Sequence, residues 1–392
     1  SSSIPRALPP NTDINCSPIS WILPVLNGAA VALRKEIRPV PYSPSPVPQP
    51  DSNDLREALK AIATGKTLNQ LQAAAAFDAV MSGQASEAQI GALLMGLHAR
   101  GETADEIAGA ARVLRAKALS VKAPVGAIDT CGTGGDAKGT HNISTCCAFV
   151  VAGAGVPVAK HGNKSISSRS GSADVLAALG VNLDCSPETI ERSIAECGLG
   201  FMYAPAHHAA MRHVAKVRGE LGVRTIFNLL GPLVNPAATK YQVVGVFHSK
   251  WLEPIANVLG LLGVERAWVV HGCDGLDELT TTTVSEVAAL DSGRVSRFRI
   301  SPRNAGLPEA KPEDLIGGDA AENATHIRAV LQGNRGPLRD FVLFNASAAL
   351  LVAVKAKTLR VGVALAAVAI DSCLAFGVLE ALVAHTNDKL DG

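Results

Sequence analysis

The sequence predicts an α/β protein. A small α-helical domain precedes a large α/β domain with a central, mostly parallel sheet flanked by helices. Three observations carry this. Residues 54–122 show helical periodicity with capping signals, and after Pro124 strands alternate with helices. Between the first strand and the first helix of that second part lies the glycine-rich turn "DTCGTGGDAKGTHNIST", residues 129–145. A chain of 392 residues, 47% of them hydrophobic, has material for two or three domains at roughly 100–200 residues each.

Residues 1–50 stand apart. "PYSPSPVPQP" (41–50) has the composition of a proline-rich linker. "WILPVLNGAAVAL" (21–33) is apolar but interrupted by Pro and Gly, so it suits a targeting remnant, a cloning scar or a docking arm better than a helix. The expectation is a poorly ordered extension. Residues 51–122 form the helical domain, on which helices from about 187–236 are expected to pack. Leu55, Leu59 and Ile62 recur at helical spacing, and Thr67 is placed to cap a second helix ending near Gly83. "SEAQ" (86–89) and "TADE" (103–106) are capping boxes that open two more.

Residues 123–392 form the α/β domain. "VGAIDTC" reads as a strand entering the glycine turn and "STCCAFVVAGAG" as an apolar helix leaving it. "VPVAKHG" is the next strand and "SADVLAALG" its helix. "YQVVGVF" and "ERAWVVHG" are strands on either side of the helix "WLEPIANVLGLLG". Three helical stretches, about 320–332, 338–355 and 360–384, complete the domain. In such sheets ligands sit beyond the carboxyl ends of the strands, where the glycine turn lies.

Composition excludes several classes. The formal net charge of +1 leaves no electrostatic footprint for nucleic acid or an anionic membrane. No run of about 18 apolar residues exists to span a bilayer. The eight cysteines (16, 131, 146, 147, 185, 197, 273 and 373) have no CxxC spacing, so they read as small buried hydrophobes in a reducing, cytoplasmic setting. The N-x-S/T triplets at Asn142, Asn163, Asn323 and Asn345 read as chance occurrences. The glycine turn matches neither GxxxxGK[ST] nor a GxGxxG that opens directly into a helix, so P-loop and dinucleotide readings fail.

The chemistry is concentrated in four stretches. Gly132, Gly134 and Gly135 let backbone amides approach a ligand with no Cβ in the way. Asn142, Ser144 and Thr145 surround the following helix start, a natural anion site; a serine hydroxyl there can also ligate Mg²⁺. "KHGNKSISSRSGSADVL" (160–176) repeats the logic at the next strand end, with Lys160 and Lys164 for charge, Asn163 for direction, and Ser167, Ser168 and Ser172 before another helix. Two such loops side by side suggest one ligand with two phosphate groups. "HGCDGLDELT" (271–280) carries Asp277–Glu278, a pair that alone fits a solvated loop tip but beside two phosphate loops suits a hard cation. "APAHHAAMRHVAKVRGELGVRTIFNLLGPLVNP" (204–236) brings His207, His208, Arg212, His213 and Arg218. Arg212 and Arg218 are expected to face one side of a helix as partners for a carboxylate. No HExxH spacing supports zinc.

In order along the chain, "GTGGD", "NIST", "KHGNKSISSRSGSADVL", "VRTIFNLLGPLVNP", "GLDE" and "GGDAAENA" resemble the anthranilate phosphoribosyltransferases of tryptophan biosynthesis, over roughly residues 54–385. The resemblance implies a hinge between the two domains, transfer of the phosphoribosyl group of phosphoribosyl pyrophosphate (PRPP) to anthranilate, two Mg²⁺ ions, and a homodimer built through the helical domain. By the same resemblance Gly132, Gly135, Asp136, Thr140, Asn142, Ile143, Ser144 and Thr145 hold PRPP. So do Lys160, His161, Gly162, Asn163, Lys164, Ser165, Ile166, Ser167, Ser168 and Ser172. Ser144, Asp277 and Glu278 hold the metal; Gly132, His161, Asn163, His208 and Arg218 line the anthranilate path. No side chain is expected to be indispensable as a general base. Lys160, the metal and loop amides are expected to stabilise the departing pyrophosphate. Two rival readings share the scaffold: a pyrimidine nucleoside phosphorylase, and a nucleic-acid-binding homologue that has lost catalysis. The sequence departs from the family at Ala209, where proline is usual, and at Cys146 and Cys147, where smaller residues are common.

Overall fold

The computed structural model describes residues 52–135, 138–165 and 169–388. The N-terminal extension, and Asp136, Ile166, Ser167 and Ser168 of the expected site, lie outside them.

Four helices, Ser52–Ala63, Gln70–Met81, Glu87–Arg100 and Ala104–Ala116, build the helical domain. Ser86 with Gln89, and Thr103 with Glu106, form the two expected capping boxes. The second helix starts two residues later than expected, because Asn69 rather than Thr67 caps it through a reciprocal pair with Gln72. Leu68 decides this. It is buried, and its N–H donates to Glu106 Oε1 at 2.8 Å, so the chain stays extended there. Glu106 is fully buried, yet satisfied by Leu68, by Thr103 and by Arg100.

Seven strands form one sheet: β1 Ile128–Gly132, β2 Val158–Gly162, β3 Leu199–Tyr203, β4 Tyr241–Gly245, β5 Arg266–Gly272, β6 Ser285–Asp291 and β7 Arg294–Ile300. Their order is β3-β2-β1-β4-β5-β6-β7, and the first five in that order are parallel. From β1 the chain steps outward through β2 and β3, then returns to the other side of β1 through β4 and β5. The order therefore reverses between β1 and β4, the place where doubly wound sheets open a crevice.

Three elements depart from the sequence expectation. The antiparallel hairpin β6–β7 was not anticipated; Ser292 (φ 50°) and Gly293 (φ 83°) turn it in left-handed conformation. β3 was also missed, a short apolar strand that follows the left-handed Gly198 ending helix Pro187–Cys197. The last helical stretch is two helices, Leu359–Asp371 and Leu374–Asn387, broken at Cys373 (φ 58°). That break brings the backbone of Ala375 against Gly153, where an added Cβ would lie 2.7 Å from the Ala375 nitrogen.

Helix Ile143–Gly153 is apolar all round and sits in the core on one face of the sheet, with Phe149, Phe341 and Phe344 fully buried. The other face shares a single apolar cluster with the helical domain: Val244, Ala267 and Val269 of the strands join Leu252 and Ile255 of helix Leu252–Leu261, and Phe77, Leu93 and Ile107 of the bundle. Arg115 ties the layers, donating to the carbonyls of Leu233 (2.6 Å) and Leu262 (3.1 Å). Helix Arg212–Leu221 packs on the bundle. Helix Pro187–Cys197, expected to join it there, packs instead on β3 and on Leu374–Asn387.

Among the described residues no cysteine is in a disulfide; Cys131, Cys146 and Cys147 are buried, but Cys185, Cys197 and Cys373 are half-exposed and Cys273 is exposed, so burial does not hold for all. No single described helix is long and apolar enough to cross a membrane. Phe149→Ala should remove about 3–5 kcal/mol of stability. Urea unfolding checks this: the midpoint falls while the slope is unchanged.

Candidate active site

β1 and β4 end side by side, with Gly132 and Gly245 in register. The loop carrying Asp277 lies directly across both. A Cβ on Gly132 would sit 2.6 Å from Asp277 Oδ2, and one on Gly245 1.5 Å from the Asp277 carbonyl oxygen. The two glycines therefore make the gap through which the acidic pair enters. That loop is cross-linked: Asp274 Oδ2 accepts from the hydroxyls of Thr280 and Thr282 at 2.6 and 2.5 Å. Asn345 clamps its far end, accepting from Leu279 N–H and donating to Leu279 O, both at 2.9 Å. The pair ends up on the glycine turn and helix start. Gly134 N–H donates to Asp277 Oδ2 at 2.8 Å, and Ser144 N–H to Glu278 Oε1 at 3.2 Å. Gly134 (φ 65°) and Gly135 (φ 78°) are left-handed, which few other residues tolerate.

The loops beyond β1 and β2 are tied together. Asn142 Oδ1 accepts from Ser170 Oγ (3.0 Å) and from Asn323 Nδ2 (2.9 Å), while Asn142 Nδ2 donates to Ser170 O (3.1 Å). Asn142, expected to face a phosphate, thus spends its side chain on joining both loops to helix Ala320–Leu331. Thr140 bridges to Ile316. Ile143 is a buried core residue and its N–H goes to His141 O; Thr145 is fully buried too. In the second loop the Asp174 carboxylate accepts from Ser165 N–H (2.9 Å) and Gly171 N–H (2.8 Å). Gly171, not Ser172, caps the following helix, and Ser172 Oγ instead approaches Gly162, where a Cβ would be 2.2 Å away. Asn163 and Lys164 are exposed at the rim.

Lys160 differs most from expectation. Only 2% exposed, its ammonium donates down to the Thr130 carbonyl rather than outward. Beneath it lies Asp129, wholly buried, which accepts from Asn235 Nδ2 at 2.7 Å and His161 N–H at 3.3 Å. Burial raises the Asp129 carboxyl and the Lys160 charge opposes that rise. Asn235 also donates to Ala159 O at 2.9 Å, stitching β1 to β2.

His161 and His208 meet edge to face, 5.1 Å between ring centres. His161 Nε2 and both ring nitrogens of His208 are buried, and the nearest backbone polar groups to the two rings are those of Gly231 and Val234. Burial first, then the neighbouring imidazoles His208 and His207, push His161 down to about 3. Burial and then His207 push His208 down to about 4. Both are neutral at pH 7. The Ala209 departure leaves His208 buried in this place. Cys147 fits the core, its thiol on Val342 O at 3.3 Å.

The remaining basic residues disperse. His207 is structural, its Nδ1 2.7 Å from Leu119 O, and His213 packs against the Gly83 turn. Arg212 is exposed, whereas Arg218 is half-buried over the Phe227 ring at 5.0 Å. Six residues of helix leave two side chains about 120° apart, so the shared face expected for the two arginines does not exist. Sequence reasoning missed Asp129, Ser170 and Arg224 and gave Asn235 and Asn323 no role. Arg224 stacks on Phe247 at 4.3 Å and donates to the Gly135 carbonyl. Asn235 and Asn323 lie inside the recognisable motifs, which was the available signal. Arg224 lies in the same "VRTIFNLLGPLVNP" motif as Asn235 and shared that signal.

Polar loops on adjacent strand ends, an acidic pair across the switch point and a helical bundle behind them define a class. Residues 125–376 match the glycosyl transferase family a/b domain, and residues 56–118 that family's helical bundle domain. Anthranilate phosphoribosyltransferase of Azorhizobium caulinodans is 58% identical over 331 residues, 84% of this chain and 96% of that protein. The enzyme of that name from Thermus thermophilus superposes with a TM-score of 0.81 at 44% identity, over 84% of this chain and 99% of its own. The Saccharomyces cerevisiae enzyme, solved in complex with PRPP and Mg, gives 0.78 at 25% identity, over 86% and 98%. The chain belongs to the anthranilate phosphoribosyltransferase family.

The depressed histidines make stability pH-dependent with a definite sign. Unfolded histidine binds a proton near pH 6.5, while folded His161 and His208 resist until about 3 and 4, so acid favours unfolding. Stability from this source is complete above about pH 6.5 and declines as pH falls toward 4. Melting curves between pH 7.5 and 4.5 should therefore show a shallower acid decline in His161→Gln/His208→Gln than in the parent.

Proposed function

We propose that the protein transfers the 5-phosphoribosyl group of PRPP to the amine of anthranilate, giving N-(5-phosphoribosyl)anthranilate and pyrophosphate, the second step from chorismate to tryptophan. One observation carries the reading. Two glycine- and hydroxyl-bearing loops at the ends of β1 and β2, tied through Asn142, Ser170 and Asn323, flank one crevice that the Asp277–Glu278 pair enters.

The donor set fits magnesium. Asp277, Glu278 and the Ser144 hydroxyl are hard oxygen ligands. No group of three or more His, Cys, Asp or Glu side chains among the described residues makes a closed cage. Mg²⁺ is usually held in this way, by one or two carboxylates with substrate phosphates completing the shell. We take two ions with PRPP as the working stoichiometry. Bound there, the metal neutralises charge developing on the departing pyrophosphate.

The protein's own residues supply position and field. Gly132, Gly135, Asp136, Thr140, Ser144 and the 161–168 loop with Ser172 hold PRPP. Ile143 and Thr145 contribute by setting the helix start, and Asn142 by holding the loops together. Breaking the C1–O bond leaves positive charge on the ribose ring and negative charge on pyrophosphate. Lys160 acts on that separation from below, as a buried charge fixed over Asp129 rather than as a phosphate contact. The neutral His161–His208 pair, with Gly132 and Asn163, lines the anthranilate path, and uncharged imidazoles leave Arg218 as the cation for its carboxylate. The aniline nitrogen attacks in line as pyrophosphate leaves, so orientation outweighs proton abstraction.

We further assign residues 51–122 to a helical domain moving about a hinge against the α/β domain. We also assign a homodimer through that domain, on the family resemblance. A cytoplasmic location accords with the bacterial biosynthetic relatives. A nucleoside phosphorylase would have no use for the acidic pair, and a nucleic-acid binder would need a basic groove that a net charge of +1 does not suggest.

Loss of anthranilate fluorescence with PRPP and Mg²⁺ tests the reading. Asp277→Asn/Glu278→Gln should lower kcat/KM by about a hundredfold or more, as loss of metal-held charge stabilisation does. Undiminished turnover would overturn the metal assignment. His208→Ala should be impaired by about tenfold to a hundredfold but remain active; complete loss in a folded, substrate-binding variant would establish it as an essential base.

A further inference from the structure

Two amides of the glycine turn and helix start, donors that a diphosphate would seek, are already engaged by carboxylates. Gly134 N–H is held by Asp277 Oδ2 at 2.8 Å and Ser144 N–H by Glu278 Oε1 at 3.2 Å. Next to Ser144, the amides of Ile143 and Thr145 go to the carbonyls of His141 (2.8 Å) and Asn142 (3.2 Å). Both carboxylates therefore sit where an incoming anion would sit. The Asp277 carboxylate comes so close that Gly132 has no room for a Cβ. The loop bearing the pair is clamped at both ends, by Asp274 with its threonines and by Asn345. The negative charges also complement the N-terminus of helix Ile143–Gly153.

We propose that Asp277 and Glu278 act as an internal anion that shuts the diphosphate donors against metal-free diphosphate, making the site selective for the magnesium-loaded form. This rests on the reading of the crevice as a PRPP site. A bare diphosphate has to displace two charge-assisted hydrogen bonds and then face the displaced carboxylates. A diphosphate arriving with its cation gives those carboxylates a new partner, and the Gly134 and Ser144 amides become available to phosphate oxygens. The acidic pair thus has two roles, as cation ligand and as gate. A ligand role alone predicts that removing it weakens binding; the gate predicts that removing it strengthens binding when no metal is present.

Calorimetric titration of pyrophosphate into the full chain, once with excess Mg²⁺ and once with EDTA, separates the two roles. The parent should bind with Mg²⁺ and bind at least about tenfold more weakly in EDTA, the factor carried by one charged hydrogen bond. Asp277→Ala should bind metal-free pyrophosphate at least about tenfold more tightly than the parent does. Asp277→Asn removes the charge but keeps an acceptor for the Gly134 amide, so its gain should be clearly smaller. Should Asp277→Ala fail to fold, Glu278→Ala gives the same readout through the Ser144 amide. No gain in the alanine variant, or an equal gain in alanine and asparagine, overturns the gate. A parent that binds no pyrophosphate even with Mg²⁺ overturns the PRPP reading itself, and the gate with it.

Discussion

Everything at this site depends on two missing methyl-sized groups. β1 and β4 finish in register at Gly132 and Gly245; the backbone of Asp277 crosses Gly245 at a distance that any Cβ would forbid, and its carboxylate lies close over Gly132. Close packing leaves no slack to absorb such an atom. Because the crossing is tight, the Asp277 and Glu278 carboxylates reach amides on a turn and a helix 143 and 134 residues earlier in the chain. The crevice and the ligand and gate roles proposed for the acidic pair share this one contact.

Below that contact the floor is electrostatic. Asp129 and Lys160 lie buried beneath the strand ends, with Asn235 satisfying the carboxylate and joining β1 to β2. An unpaired charge there would be costly, and a paired, hydrogen-bonded one is tolerated. Lys160 is therefore fixed beneath the strand ends, while Asn163 and Lys164 stay exposed at the rim. The histidine pair obeys the same rule from the opposite direction: without a carboxylate beside them, burial keeps both imidazoles neutral.

The helical bundle is no separate globule. One apolar cluster runs from Phe77 and Ile107 through helix Leu252–Leu261 to Val244 and Val269 of the sheet. The face of the sheet opposite helix Ile143–Gly153 thus has its cover supplied by residues from both parts of the chain. Parallel strands demand burial on both faces, and here the bundle helps meet that demand. The edge is handled differently. β7 carries Arg294, Arg297 and Arg299, charges that discourage strand addition by another chain.

By itself the sequence determined whatever is local. Capping boxes at Ser86 and Thr103, the apolar helix after the glycine turn, the strands β1, β2, β4 and β5 and the order of the motifs depend on neighbours within a few residues, and were legible for that reason. Where two local signals overlapped, at Thr67 and Asn69, the burial of Leu68 chose between them. The hairpin β6–β7 and the break at Cys373 were decided by packing, which no periodicity records. Among the site residues, charge and hydroxyl content named the loops correctly, but not which way each side chain points. Lys160 turns down to Thr130, Asn142 turns sideways to Ser170 and Asn323, and the acidic pair turns onto the amides. Those directions follow from contacts between segments up to about 180 residues apart. Only the tertiary structure decided them, because the partner that satisfies a buried polar group is chosen by proximity in space.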